Sequence, residues 1–180
     1  MAKILEIYKD GAPVLRKTAD PVDMTDLSSL TNTIENMHLT MIKNDPPGVG
    51  LAAPQVGISS RFFIMNPKPE EGLDKLTVVI NPEIISHSEE KEKKQEACLS
   101  VPKIAGLVSR YKSIRVKFYN QHGQRFEKKL EGFKARIFQH EFDHLNGILY
   151  TDLVEFEDEF SSLEDYLAEK QKVETVSKVN

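Results

Sequence analysis

Hydrophobic residues between positions 24 and 45 recur at alternating steps of three and four, which is the spacing of an amphipathic helix. The stripe that they form contains Leu27, Leu30, Ile34, Met37 and Met41. Thr25 or Asp26 can cap the start of this helix. Asn44 followed by Pro46 can end it, because a proline cannot continue the amide ladder.

A different pattern runs from residue 61 to about 130, where short runs rich in β-branched and aromatic residues are typical of antiparallel strands. These runs are RFFIM, LTVVI, EIISHS, IRVKFY and FEKKL. Apolar residues alternate along IRVKFY and the turn-forming NQHGQ comes next, so residues 114–130 are predicted to form a hairpin. The charged run SEEKEKKQE is interpreted as a solvated loop or as the margin of an edge strand.

Helical spacing returns in GFKARIFQHEFDHLNG, residues 132–147, with apolar residues on two faces. Two apolar faces predict a helix buried in the middle of the domain, and Asn146 with Gly147 marks its end. Further on, Ser161 and Glu164 fit a capping box and predict another helix, with a frayed polar tail from about residue 172.

The composition favours a single globular domain that spans residues 1–180. Hydrophobic residues make up 39% and charged residues 29%, and the formal net charge of −4 gives no reason to expect sequence-specific binding of nucleic acid. No apolar run approaches the roughly 20 residues that cross a bilayer, and the first residues lack a signal core. We therefore expect a cytoplasmic monomer without a membrane partner. Cys98 is the only cysteine, which excludes an intrachain disulfide.

The sequence HEFDH, residues 140–144, fits the pattern H-E-x-x-H. Residues i and i+4 of a helix lie about 40° apart around its axis, so His140 and His144 can bind one divalent metal ion from the same side. Glu141 is then close enough to reach a water molecule on that ion without being a ligand. Two histidines with purely structural roles in the core are the alternative interpretation.

A catalytic metal usually takes three protein ligands, so this helix needs a third one from elsewhere in the chain. Several glutamates follow the motif, in a polar segment that we expect to be exposed: Glu155, Glu157, Glu159 and Glu164. Cys98 is the better candidate, since it lies in the apolar run EACLSVP. An unpaired thiolate would be costly there and a metal-bound thiolate would not.

The glycine-rich segment GVGLAAPQVG, residues 48–57, is the second unusual stretch. It lacks the third glycine, the Lys-Ser or Lys-Thr pair and the preceding strand of a phosphate-binding loop. Its small residues instead let the backbone approach an extended peptide or the metal-binding helix. Gln55 would then place a neutral amide, which can stabilise an oxyanion, near that approach.

Three motifs, GVGLAAPQ, EACLS and QHEFDH, occur in an order and at a spacing that resemble the peptide deformylases over about residues 5–155. The resemblance implies an α+β fold with antiparallel strands packed around a central metal-binding helix that carries HEFDH. An N-terminal amphipathic helix and a C-terminal helix complete the expected fold. The implied reaction removes the formyl group from N-formylmethionyl nascent peptides at the ribosome and releases formate.

Carried over by position, the resemblance implies four groups of site residues. The metal ligands are Cys98, His140 and His144, the catalytic acid and base is Glu141, and the oxyanion donors are Gln55 and the backbone N–H of Leu99. The substrate-binding residues are expected to be Gly48, Val49, Gly50, Glu96, Phe133 and Ile137. One divalent ion per chain is implied, Fe2+ in the cell, with Zn2+, Ni2+ or Co2+ able to replace it in purified protein.

The second motif of this family normally reads EGCLS, and Ala97 stands where glycine is usual. If this position requires a positive φ, the alanine would carry a strain of roughly 1 kcal/mol. Arg110 and Asp143 can pair as support for the metal helix, or each can pair elsewhere on the surface. Two rival functions are a metalloprotease that cuts internal peptide bonds and a non-catalytic, metal-stabilised protein that binds nascent chains.

Overall fold

The structure is a computed structural model that describes residues 2–67 and 76–179, with side chains described as far as Lys172. Three α-helices lie in these ranges: α1 (Thr31–Lys43), α2 (Gly132–His144) and α3 (Leu163–Val179). The strands there are β1 (Gly50–Ala52), β2 (Phe62–Met65), β3 (Thr77–His87), β4 (Lys91–Cys98), β5 (Val101–Tyr111), β6 (Ser113–Tyr119), β7 (Arg125–Glu131) and β8 (Phe160–Ser162).

The strands form two antiparallel sheets on either side of α2. One sheet has the order β1-β2-β3-β6-β7 and the other the order β4-β5-β8. Helix α2 contacts β1, β2, β6 and β7 of the first sheet and β5 of the second. Apolar residues on two faces of α2, such as Ile137 and Phe138, are therefore buried. This arrangement confirms the predicted α+β fold with a central helix that carries HEFDH.

The N-terminal amphipathic helix begins later than its hydrophobic pattern suggests. Leu27–Leu30 form a short 3-10 helix, and the α-helix starts at Thr31. Asp26 does not cap a backbone N–H, because its carboxylate accepts a hydrogen bond from the hydroxyl of Ser28 instead. The helix ends at Lys43, immediately before the predicted stop.

Strand β3 joins two of the predicted runs, LTVVI and EIISHS, into one strand of 11 residues. Pro82 lies between the runs and would normally interrupt a strand. Asn81 adopts a φ of 47° there, and the register with β6 shifts between Ile80 and Glu83. The side chain of Asn81 holds this irregularity in place, since it both accepts a hydrogen bond from the N–H of Val22 and donates one to its carbonyl.

The charged run at residues 88–96 supplies most of β4, so the loop interpretation is wrong and the edge-strand interpretation is correct. Its lysines are exposed, whereas Glu96 and Cys98, near the end of the strand, are buried. The predicted hairpin at residues 114–130 is confirmed by β6 and β7, which pair along their whole length. One candidate metal ligand, Cys98, therefore lies at the end of β4, in the buried space beside α2.

The C-terminal helix is present, but its cap lies one residue later than the capping-box pattern suggests. The hydroxyl of Ser162 accepts a hydrogen bond from the N–H of Asp165 and donates one to its carboxylate. Ser161 instead belongs to β8, opposite Ala105. The fraying expected from about residue 172 stays a prediction, because the side chains beyond Lys172 lie outside the described residues. None of the helices in the described ranges combines the length and the apolarity needed to cross a membrane.

Candidate metal centre

The three expected ligands converge in the buried space between β4 and α2. Cys98 is the last residue of β4, and His140 and His144 lie one turn apart on α2. Their candidate ligand atoms all lie within 4.8 Å of one another, and Nε2 of His144 is 3.3 Å from Sγ of Cys98. This grouping is one that could hold a metal ion.

The chemistry of these donors fits a divalent metal ion with an open coordination position. One thiolate and two imidazoles suit zinc, iron, cobalt or nickel, and three protein ligands leave room for water or substrate. Burial lowers the pKa of His144 well below its usual value, which favours the neutral ring that a metal requires. Within the described ranges, Oε2 of Glu141 and Nδ1 of His144 are buried without a hydrogen-bond partner.

Glu96 anchors the first histidine of the motif. Its carboxylate lies 2.9 Å from Nδ1 of His140, which leaves Nε2 of that ring for the metal. Arg110 donates two hydrogen bonds of 2.9 Å to the same carboxylate, and Arg136 donates a third of 2.7 Å. Burial alone would raise the pKa of Glu96, but the hydrogen bonds from His140 and Arg110 lower it well below its usual range. Glu96 therefore stays ionised.

Two arginines extend this network to neighbouring backbone. Arg110 also pairs with Asp143 of α2, so the first of the two sequence-based alternatives for this pair is correct. Arg136 donates further hydrogen bonds to the carbonyls of Val108 and Glu92, and thereby ties α2 to both β5 and β4. Sequence reasoning missed Arg136, although an arginine one helical turn before His140, within an otherwise apolar stretch, is a visible signal.

Glu141 is buried beside the ligands, and burial raises its pKa to about 7. Its carboxylate packs against the backbone of Gly50 in β1. A Cβ atom at Gly50 would lie 2.3 Å from Oε1 of Glu141, so only glycine allows this close approach. The backbone of the GVGLAAPQ segment therefore lies close to the metal-binding helix, as its small residues predict.

Gln55 lies on a 3-10 helix, Ala53–Val56, with its amide turned towards the metal ligands. Its Oε1 accepts a hydrogen bond of 2.9 Å from the N–H of Ala52. This contact orients Nε2, which lies 3.4 Å from Sγ of Cys98 and 3.1 Å from Oγ of Ser100. Cys98 pairs with Val101 across the hairpin, so Leu99 and Ser100 form the two-residue turn beside the amide.

The expected substrate-binding residues differ in burial and in the groups that they contact. Val49 packs against the core cluster that contains Ile137, whereas Phe133, at the start of α2, keeps half of its side-chain surface exposed. A Cβ atom at Gly48 would lie 3.0 Å from Cδ1 of Leu99, which places this glycine beside the turn. Glu96 was expected to contact substrate, but both of its oxygens are engaged by protein groups.

Ala97 has no positive φ, since the described non-glycine residues with that conformation are Asn81 and Lys103. Ala97 pairs regularly with Ala105 of β5, and the register changes only after it, at Cys98. The methyl group that distinguishes this chain from the usual EGCLS motif therefore carries no left-handed strain.

Sequences of known proteins match most of the chain. The sequence model of the family described as polypeptide deformylase matches residues 4–159. A peptide deformylase of Thermotoga maritima is 51% identical over 144 residues, 80% of this chain and 83% of the relative. Peptide deformylase 2 of Bacillus subtilis is 37% identical over 181 residues, 93% of this chain and 98% of the relative.

Solved structures resemble the fold over most of the chain. The crystal structure of the Thermotoga maritima peptide deformylase has a TM-score of 0.77 and 48% identity, and the match covers 85% of this chain and 99% of the other. A class I type b peptide deformylase of Acinetobacter baumannii, with Met-Ala-Ser bound, has a TM-score of 0.78 and 39% identity. That match covers 86% of this chain and 100% of the other.

Proposed function

The chain belongs to the polypeptide deformylase family, a family of metal-dependent hydrolases that remove the N-formyl group from nascent polypeptides, and we propose that Cys98, His140 and His144 hold its metal ion. The observation that carries this assignment is the convergence of these three donors beside Glu141, whose buried Oε2 lacks a hydrogen-bond partner among the described residues. A divalent ion bound there supplies Lewis acidity and lowers the pKa of water in contact with it.

Glu141 is the proposed acid and base. Its carboxylate accepts a proton from the attacking water and returns it to the leaving nitrogen, so that formate and a free α-amine are released. Burial raises its pKa to about 7, and a neighbouring cation would lower that pKa again. Between these two opposing effects on its pKa, the carboxylate can both take up and release a proton during turnover. Gly50 sets its position through direct packing.

The oxyanion that forms on the formyl oxygen is held by two donors of this chain. We assign them as Nε2 of Gln55, which is fixed by the contact from Ala52 to Oε1, and the backbone N–H of Leu99. Both are neutral, so they stabilise developing charge without a tight ion pair in the ground state.

The methionine side chain is proposed to occupy an apolar pocket formed by Val49, Ile137 and the exposed ring of Phe133. The solved relative with Met-Ala-Ser bound supports a groove that accepts a peptide beginning with methionine. We expect Ile137→Ala to reduce the preference of kcat/KM for formyl-Met over formyl-Ala peptides by roughly tenfold, because a buried side chain of this size contributes about 1–3 kcal/mol of discrimination. An unchanged preference would remove Ile137 from the pocket.

Glu96 is proposed as a positioning residue rather than a substrate contact, since its hydrogen bonds go to His140 and two arginines. We further propose that Fe2+ is the metal in the cell, that Zn2+, Ni2+ or Co2+ can replace it, and that the protein acts as a cytoplasmic monomer at the ribosome. Residues 1–180 are proposed to form a single catalytic domain.

The test is anaerobic purification followed by metal analysis and two parallel assays. We expect about one Fe2+ per chain, rapid release of formate from formyl-Met-Ala-Ser, and no cleavage of an unformylated peptide with internal methionine. Internal cleavage would favour a metalloprotease. Bound metal without either activity would favour a structural metal site.

A further inference from the structure

Residues 3–10 form a segment that contains no helix and no strand, which we call the N-terminal strap. Two buried polar side chains of α1 hold its beginning. Asn36 accepts a hydrogen bond of 2.7 Å from the N–H of Lys3, and Thr40 accepts one of 2.8 Å from the N–H of Leu5. The strap is thus fixed to α1 before it reaches the site.

The middle of the strap contacts the segment that carries Gln55. The N–H of Tyr8 donates a hydrogen bond of 2.8 Å to the carbonyl of Gln55. The ring of Tyr8 packs directly over Gly57, where a Cβ atom would lie 2.7 Å from Cε2 of the ring. Tyr8 therefore contacts both Gln55 and the residue at the end of its 3-10 helix.

The next two residues of the strap contact the other oxyanion donor. Nζ of Lys9 donates a hydrogen bond of 2.8 Å to the carbonyl of Leu99, and the N–H of Asp10 donates one of 2.9 Å to the carbonyl of Ser100. These two carbonyls belong to the two residues of the turn between β4 and β5. Three consecutive residues of the strap therefore connect the two segments that carry the proposed oxyanion donors.

We propose that Lys9 is a positioning residue, which holds the Leu99–Ser100 turn at a fixed orientation and distance relative to Gln55. The inference rests on the proposed function of Gln55 and Leu99 as oxyanion donors. A two-residue turn has few internal contacts to fix its peptide groups, and the charged donor of Lys9 binds the carbonyl between its two residues. The strap transmits this constraint to Gln55 through the adjacent Tyr8.

The role of Lys9 can be separated from general stability because its side chain is exposed. A contact at the surface adds little to the global stability of a domain, but a small displacement of an oxyanion donor has a large effect on rate. A purely structural Lys9 would affect melting temperature or metal content. A positioning Lys9 should affect kcat at full metal occupancy and leave KM unchanged.

The experiment compares the wild-type holoenzyme with Lys9→Met, Lys9→Arg and the matched control Lys17→Met. Lys17 is also exposed, and its side chain makes no hydrogen bond or ion pair with the residues that the structure describes. For each protein, metal content, melting temperature, kcat and KM with formyl-Met-Ala-Ser are measured. We expect kcat of Lys9→Met to fall about tenfold per metal-loaded chain, with KM unchanged within about twofold. Lys9→Arg should recover most of this loss, and Lys17→Met should equal the wild type.

An unchanged kcat per metal-loaded chain in Lys9→Met would overturn the positioning role. So would a loss that Lys17→Met shares, or one that Lys9→Arg does not recover. Absence of deformylation by the wild-type holoenzyme would instead overturn the proposed function, and with it the inference. The wild-type assay therefore distinguishes the two failures.

Discussion

The two halves of the candidate site are built in different ways. The metal half consists of side chains on long regular elements, with Cys98 on β4 and both histidines on α2, and buried arginines and Glu96 surround them. The oxyanion half consists of one amide on a 3-10 helix and one backbone N–H in a two-residue turn. Variants of the metal half should therefore change metal affinity, and variants of the oxyanion half should change kcat.

Gln55→Leu should separate an effect on kcat from an effect on metal binding most strongly. Loss of one oxyanion donor should lower kcat about 10²–10³-fold, because the charge on the tetrahedral species loses a fixed hydrogen bond. Metal content should remain at about one ion per chain, since all three ligands are intact. Gln124→Leu, in the exposed turn between β6 and β7, is the matched control and should have full activity. A large loss of metal from Gln55→Leu would contradict the distinction between the metal half and the oxyanion half.

Gly50→Ala tests the position of Glu141, whose carboxylate packs against the backbone of Gly50. The added methyl group would lie 2.3–2.9 Å from Oε1, Cδ and Cγ of Glu141, so this side chain must move. We expect kcat to fall about 10²-fold, because a displacement of about 1 Å at the reacting groups has an effect of that size. Gly123→Ala, in the exposed turn between β6 and β7, is the control, since its methyl group would meet only Cδ1 of Leu27 at 3.4 Å. Its φ of 74° should make any loss one of stability and not of kcat. Equal losses in both variants would contradict this account.

Arg136→Met tests the metal half alone. It removes one hydrogen bond to Glu96 and those to the carbonyls of Val108 and Glu92. We expect the Kd for the metal to rise about 10–100-fold and the free energy of unfolding to fall by about 1–3 kcal/mol. Titration with metal should restore kcat to near the wild-type value. Arg115→Met, at an exposed ion pair, is the control, and a lasting kcat defect in Arg136→Met would refute the separation.

Ala97→Gly should have the smallest effect. Ala97 lies in regular β pairing without a positive φ, so glycine relieves no strain. We expect kcat/KM to stay within about twofold of the wild type and the free energy of unfolding to fall by about 0.5–1 kcal/mol, because glycine is less favourable in a strand. Steady-state kinetics and urea denaturation measure both quantities. A severalfold gain in kcat/KM would show that the methyl group restricts the groove.

The metal half could be predicted from the sequence because local spacing determines most of it. On a helix, the four-residue step from His140 to His144 fixes both rings on one side. Cys98 required only the argument that an isolated thiol in an apolar run needs a partner. The support around these ligands was not predictable in the same way, since Arg110 and Arg136 reach Glu96 through pairings between distant parts of the chain.

Irregular and non-local structure explains the remaining differences. Strand β5 was absent from the predicted runs, because Pro102 and Gly106 weaken its local pattern, and its pairing with β4 and β8 forms it. The contacts of Lys9 and Asp10 with the Leu99–Ser100 turn span about ninety positions and leave no periodic signal. Backbone hydrogen-bond donors cannot be identified from a sequence pattern either, since every residue except proline carries the same N–H.

We propose a catalytic role for the site of Cys98, His140 and His144, with proton transfer by Glu141. Its most direct test is Glu141→Gln, with metal content and formyl-Met-Ala-Ser turnover measured on the same anaerobic preparation. We predict about one metal ion per chain and a kcat at least about 10²-fold below that of the wild type. Full metal occupancy with turnover within about twofold of the wild type would contradict the account.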